Sequence, residues 1–118
     1  MTFYSRCFGG KLSFRTLGED RESRNMSAAM RSMIVHSSLS SGEIEIMASD
    51  LTEDIGLIRG NQVTLVIDCE SRRECNRLYD KLREGCKRCQ GPELNREGLY
   101  QAFVTDRFGN HWMLIAST

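Results

Sequence analysis

The chain has 118 residues, the size of one domain, and its 16 Lys+Arg and 16 Asp+Glu give a formal net charge of zero, so it lacks the electrostatic footprint of a nucleic-acid binder. No apolar run reaches the length of a membrane span, the start MTFYSRCFGG lacks the sustained apolar core of a signal peptide, and one proline with no low-complexity tract excludes disorder outside Glu19–Met30. Five cysteines, an odd number with no secretory segment, predict free thiols and a cytoplasmic location.

In chain order, Phe3, Tyr4 and Cys7 form an apolar stripe ending at Gly10, the pattern of a short helix. Leu12–Leu17 alternates as a strand, and Gly18–Arg31 reads as a mobile loop of charges, serines and methionines. Met33–Leu39 and Glu43–Ala48 flank Ser40-Ser41-Gly42, a hairpin signature. Glu53–Asn61 reads as a linker, and Val63–Ile67 as a strand rich in β-branched residues. Ser71–Glu84 is the clearest element. Ser71 and Glu74 make a capping box, Cys75, Leu78, Tyr79 and Leu82 a helical stripe, and Gly85 the stop. Lys87–Gln90 is a weaker strand, interrupted by Gly91-Pro92. Gly98–Thr105 and Trp112–Ala116 flank a glycine-containing turn at Asp106–Asn110.

The offsets of Phe3-Tyr4, Cys7 and Gly10 repeat those of Leu78-Tyr79, Leu82 and Gly85. The chain therefore reads as an α+β fold of two βαβββ modules, 1–52 and 62–118, within a single domain. The first copy opens inside its helix, so its opening strand is missing and Ile44–Ala48 is left as an open edge. Either a second chain covers that edge or the natural protein starts further upstream, and the first predicts a homodimer with contacts near Glu43–Asp50.

Strand parity sorts the side chains. Val35, Leu39, Ile44, Ile46, Ala48, Trp112 and Leu114 suit the core, leaving His36, Glu45, Met47, His111 and Met113 on the opposite faces. A mostly apolar concave face carrying a few polar groups is what a small-molecule pocket requires, so these five are the candidate ligand-binding residues. His36, Glu45 and His111 could together form a two-histidine, one-carboxylate set for iron, manganese or zinc. Each histidine also has an ordinary reading, as a polar residue satisfied by neighbouring backbone. Cys86-Lys87-Arg88-Cys89 has the spacing of a redox or zinc pair, set against two unrelated thiols. Trp112 reads as a core anchor, Asp106 and Gly109 as shapers of the turn, and Arg107 as a solvated turn residue, set against a contact to an anionic ligand.

The segments Phe3-Tyr4 to Phe8-Gly9-Gly10, Val35–Leu39, Ile46–Asp50, Leu65–Ser71, Leu78–Leu82 and Asp106–Met113 resemble the PhnB-like branch of the vicinal oxygen chelate superfamily. That branch is often labelled 3-demethylubiquinone-9 3-methyltransferase-like, and the superfamily joins glyoxalases, bleomycin-resistance proteins and extradiol dioxygenases. The resemblance implies paired modules curled around a ligand site, dimers, and in many members a divalent metal held by His, Gln and Glu. This sequence departs from the metal pattern. The opening strand that carries one ligand is absent, Met113 stands about where metal-dependent relatives have a glutamate, and the second module's first strand offers Gln62 or Thr64 rather than histidine. No glycine-rich loop for a nucleotide-like methyl donor is visible. Two function classes remain: a protein that binds a small molecule, and a divalent-metal-dependent lyase, isomerase or dioxygenase-like enzyme. The broken ligand set favours the first.

Overall fold

A computed structural model of the chain describes residues 1–19, 24–42, 44–50, 60 and 62–117. The Cα trace divides into two units, Met1–Ile58 and Arg59–Thr118. Glu43 and the expected linker Glu53–Asn61, Gly60 apart, lie outside the described residues.

In the first unit, Phe3, Tyr4, Cys7 and Phe8 recur at helical spacing and are buried in α1 (Thr2–Phe8). The chain then turns through Gly9 and Gly10. Gly10 has φ 89°, and a Cβ there would collide with the Ser40 carbonyl, so this corner needs glycine for both reasons. β1 (Lys11–Thr16), β2 (Ile34–Ser41) and β3 (Ile44–Ala48) follow as an antiparallel sheet in that order. Register aligns Leu12, Leu39 and Ile46 across the sheet, and likewise Phe14, Ser37 and Ala48. Leu39 and Ser37 are buried on the face that α1 covers, in agreement with the alternation read from sequence.

The segment expected as an open loop carries a 3₁₀ turn (Leu17–Glu19) and a short helix α2 (Ala28–Arg31). Local caps make them. Ser27 Oγ accepts the Met30 N–H at 3.2 Å, and Glu19 Oε2 accepts the Thr16 N–H at 2.8 Å. Such side-chain caps leave little trace in apolar periodicity. Among the described residues β3 pairs only with β2, and Ile44 and Met47 on it are exposed.

The second unit contains β4 (Leu65–Asp68), α3 (Arg72–Leu82), β5 (Arg88–Leu94), β6 (Tyr100–Thr105) and β7 (His111–Ala116). The sheet order is β4-β7-β6-β5, with β4 parallel to β7 and the other pairs antiparallel. Ser71 caps α3 through Oγ, which accepts the Glu74 N–H at 3.2 Å. Glu74 Oε2 accepts in return the Glu70 N–H at 2.8 Å, one residue before the position of an ideal capping box. Cys75, Leu78, Tyr79 and Leu82 are buried beneath the helix, and so are Ala102, Val104, Trp112 and Leu114 on the sheet. Truncating Leu82 to alanine in such a site costs about 2–5 kcal/mol.

β5 is longer than the expected Lys87–Gln90. Gly91-Pro92 does not end the strand but coincides with a register irregularity between Gln90 and Glu93. β5 is the sheet edge, where proline's missing N–H leaves no ladder bond unmade. The expectation of five free thiols fails at one pair. Cys86 and Cys89 are joined by a disulfide with Cα atoms 6.5 Å apart, because the turn from α3 into β5 brings them together. Cys7, Cys69 and Cys75 are free and buried. Among the described residues no helix is long and apolar enough to cross a membrane.

Candidate ligand pocket

The alternation that buries Ala102, Val104, Trp112 and Leu114 under α3 turns Phe103, Thr105, His111 and Met113 to the other face of the second sheet. Cross-strand register completes that face. Arg88 lies opposite Thr105, Gln90 opposite Phe103, Thr105 opposite His111, and Val66 opposite Met113. A cavity of about 530 Å³ opens over it, lined by Thr64, Arg88, Gln90, Phe103, Thr105 and His111, together with Val104 and Trp112 of the same strands. This volume falls within the range of small-molecule sites.

Its polar groups are already oriented. Thr105 Oγ1 and His111 Nδ1 lie 2.9 Å apart, a bond that fixes the imidazole whichever atom donates. Nε2 of His111 has no partner among the described residues. Gln90 Nε2 donates to Glu93 Oε1 at 2.9 Å. Arg77 pairs with Glu74 and Arg107 with Glu84, whereas Arg88 carries a guanidinium with no acidic or hydrogen-bonding partner among the described residues. Phe103, half-buried between the Arg88 and His111 strands, supplies the apolar surface.

The five residues singled out from sequence are distributed between the units. His111 lines the cavity, and Met113 shares its face two residues along β7. His36, Glu45 and Met47 lie on the first sheet's face opposite Leu39, and all three are exposed. His36 and Glu45 share this face without being neighbours. Glu45 pairs with Ser40, four positions along β2 from His36, which is about 13 Å at the rise of a strand. Two ligands of one ion sit within about 4 Å of each other, given metal–nitrogen distances near 2 Å. This pair therefore does not fit a shared metal. Among the described residues no group of three His, Cys, Asp or Glu is close enough to hold one. A smaller hollow of about 240 Å³ in the first unit lies beside the start of α1, next to Phe14, Ser37 and Asp50, and none of His36, Glu45 and Met47 lines it.

Arg88, Gln90, Phe103 and Thr105 line the cavity but are not among the residues singled out from sequence, whereas Thr64 stands there at a ligand position already noted. The parity that selected His111 and Met113 selects Phe103 and Thr105 by the same rule. Arg88 and Gln90 were obscured because Gly91-Pro92 made β5 look too short to present a face.

These two units, a three-stranded sheet with α1 and a four-stranded βαβββ sheet with α3, have the fold of solved structures named as glyoxalase/bleomycin resistance protein/dioxygenase family proteins. The chain is similar to a Pseudomonas aeruginosa protein at 25% identity, over 98% of this chain and 84% of that one, with a TM-score of 0.78. It is also similar to a PhnB protein of Bacillus cereus, named as a 3-demethylubiquinone-9 3-methyltransferase, at 16% identity, 98% and 87% coverage and TM-score 0.71. A glyoxalase/bleomycin resistance protein/dioxygenase family enzyme of Burkholderia phytofirmans matches at 17% identity, 99% and 87% coverage and TM-score 0.63. No protein-family model matches the sequence, and no curated protein does.

Proposed function

We propose that this chain is a small-molecule-binding protein of the glyoxalase/bleomycin-resistance superfamily, and that its ligand joins an anionic group to an apolar or planar body. The observation that carries this reading is Arg88, a guanidinium without a partner among the described residues, on the rim of a cavity lined also by Phe103 and the Thr105–His111 pair. A carboxylate or phosphate would receive two parallel bonds from Arg88, and His111 Nε2 and the Thr64 hydroxyl supply further polar contacts. Phe103 would cover the apolar part of the ligand, with Met113 extending the same face. A cation on the rim of a cavity favours a small anion, whereas the zero net charge of the whole chain disfavours a nucleic acid.

On this reading the protein works in the cytoplasm as a homodimer. The open outer edge of β3, with Ile44 and Met47 exposed, supports the dimer, since an apolar edge strand is a template for further pairing. His36, Glu45 and Met47 stay on the exposed face of the first sheet, as candidate contacts within that unit alone. A thermal-shift series of small aromatic carboxylates against their neutral amides tests the function. The acids should raise Tm in proportion to concentration and the amides should not. Equal shifts from acids and amides would exclude an anion site.

A further inference from the structure

Five cysteines fall into two physically different sets. Cys7, Cys69 and Cys75 are almost fully enclosed, and burial holds the Cys69 and Cys75 thiols in the protonated form. Cys86 is only half-buried and Cys89 is exposed, at the start of the edge strand β5, where solvent reaches the bridge from outside the sheet. The residues between them are Lys87 and Arg88, whose charges attract an anionic thiolate such as that of glutathione to the bridge. The ring they close spans a sequence separation of three, so opening it releases little chain and threatens little of the fold.

We infer that Cys86 and Cys89 form a reversible thiol–disulfide site that exchanges with low-molecular-weight thiols of the glutathione type. In reduction, a small thiolate attacks the sulfur of Cys89, the more exposed residue of the two. The Cys86–Cys89 bond breaks, Cys86 leaves as a thiolate and takes a proton, and a mixed disulfide remains on Cys89. A second small thiolate attacks the small-molecule sulfur of that mixed disulfide, releasing Cys89 as a thiolate that is then protonated. The net change is one protein disulfide and two small thiols to one protein dithiol and one small disulfide, and oxidation is its reverse. The bridge also fastens the first turn of β5, the strand that presents Arg88 and Gln90, so its opening loosens that strand first.

The test is equilibration of the intact chain in buffers of graded reduced and oxidised glutathione, an acid quench, alkylation and mass spectrometry of the peptides. Cys86 and Cys89 should gain two alkyl groups together in a single two-electron transition, while Cys7, Cys69 and Cys75 form no mixed disulfide at any ratio. Amide exchange at residues 88–90 should quicken on reduction, and exchange within α3 should not. With oxidised glutathione, Cys86→Ser should leave a Cys89 that takes up one glutathionyl group faster than Cys86 does in Cys89→Ser. A bridge that stays closed in the most reducing mixture, a pair that stays open in the most oxidising one, or a faster Cys86 would overturn the assignment.

Discussion

The indole of Trp112 donates its Nε1–H to Asp106 Oδ2 at 2.8 Å, and Asp106 Oδ1 accepts the backbone N–H groups of Phe108 and Asn110 at 2.9 and 3.0 Å. One fully buried carboxylate therefore both shapes the β6–β7 turn and ties it to a core residue that also lines the pocket. A buried anion is tolerable because these N–H groups replace its water.

Asp106→Ala removes the acceptor of three donors, of which the Trp112 indole N–H is buried. The expected cost is at least about 3 kcal/mol, since hydrogen bonds to charged groups contribute about 1.5–3 kcal/mol each and are not additive. Urea denaturation followed by Trp112 fluorescence reads it, with Asp106→Asn intermediate because its amide keeps one acceptor. A loss below about 1 kcal/mol for the alanine variant would show that the turn stands without the carboxylate.

Alkaline pH should expose Cys69. Desolvation by burial, with Cys75 beside it, pushes this thiol from 9.0 up to about 12. The folded state thus keeps the proton where the unfolded chain releases it. Cys69's share of stability is complete below pH 9.0 and is lost as pH rises toward about 12, at about 1.4 kcal/mol per pH unit. Stability of the native chain should fall more steeply between pH 9 and 11 than that of Cys69→Ala. Parallel slopes would show that the thiol is not held neutral.

The open edge of β3 predicts association. Sedimentation at micromolar concentration should give a dimer, and Met47→Lys should shift it to monomer by placing a charge on the pairing edge. A native chain that is already monomeric, or a variant that stays dimeric, contradicts the β3 interface.

Chelation should leave Tm unchanged. His36 and Glu45 stand four register positions apart, so no ion can bridge them in the folded sheet. A clear fall in Tm after treatment with a chelator, restored by zinc or manganese, would mean that another set of residues gathers a metal.

Much of the fold was legible because burial and periodicity are strongly coupled where one element covers another. The stripe Cys75, Leu78, Tyr79, Leu82 and the alternation Trp112, Leu114, Ala116 are buried as their spacing requires. What escaped was set by contacts distant in sequence or by backbone chemistry. The Ser27 cap on α2 depends on a single hydroxyl. The passage of β5 through Gly91-Pro92 depends on its edge position, which only strand order reveals. The site was half legible for the same reason. Parity put His111 on the open face of its sheet, but pairing to β5 was needed to bring Arg88 opposite Thr105, and the register of β2 with β3 was needed to separate His36 from Glu45.

The central claim, an anion site at Arg88, is tested most directly by calorimetric titration of the best acid from the thermal-shift series into the native chain and into Arg88→Ala, Arg88→Lys and His111→Ala. Loss of a bidentate charge-assisted contact, about 1.5–3 kcal/mol, predicts affinity weaker by about tenfold to a hundredfold in Arg88→Ala, with Arg88→Lys between the two and His111→Ala reduced less. Affinity unchanged in Arg88→Ala, with the variant folded and its Tm intact, would contradict the account.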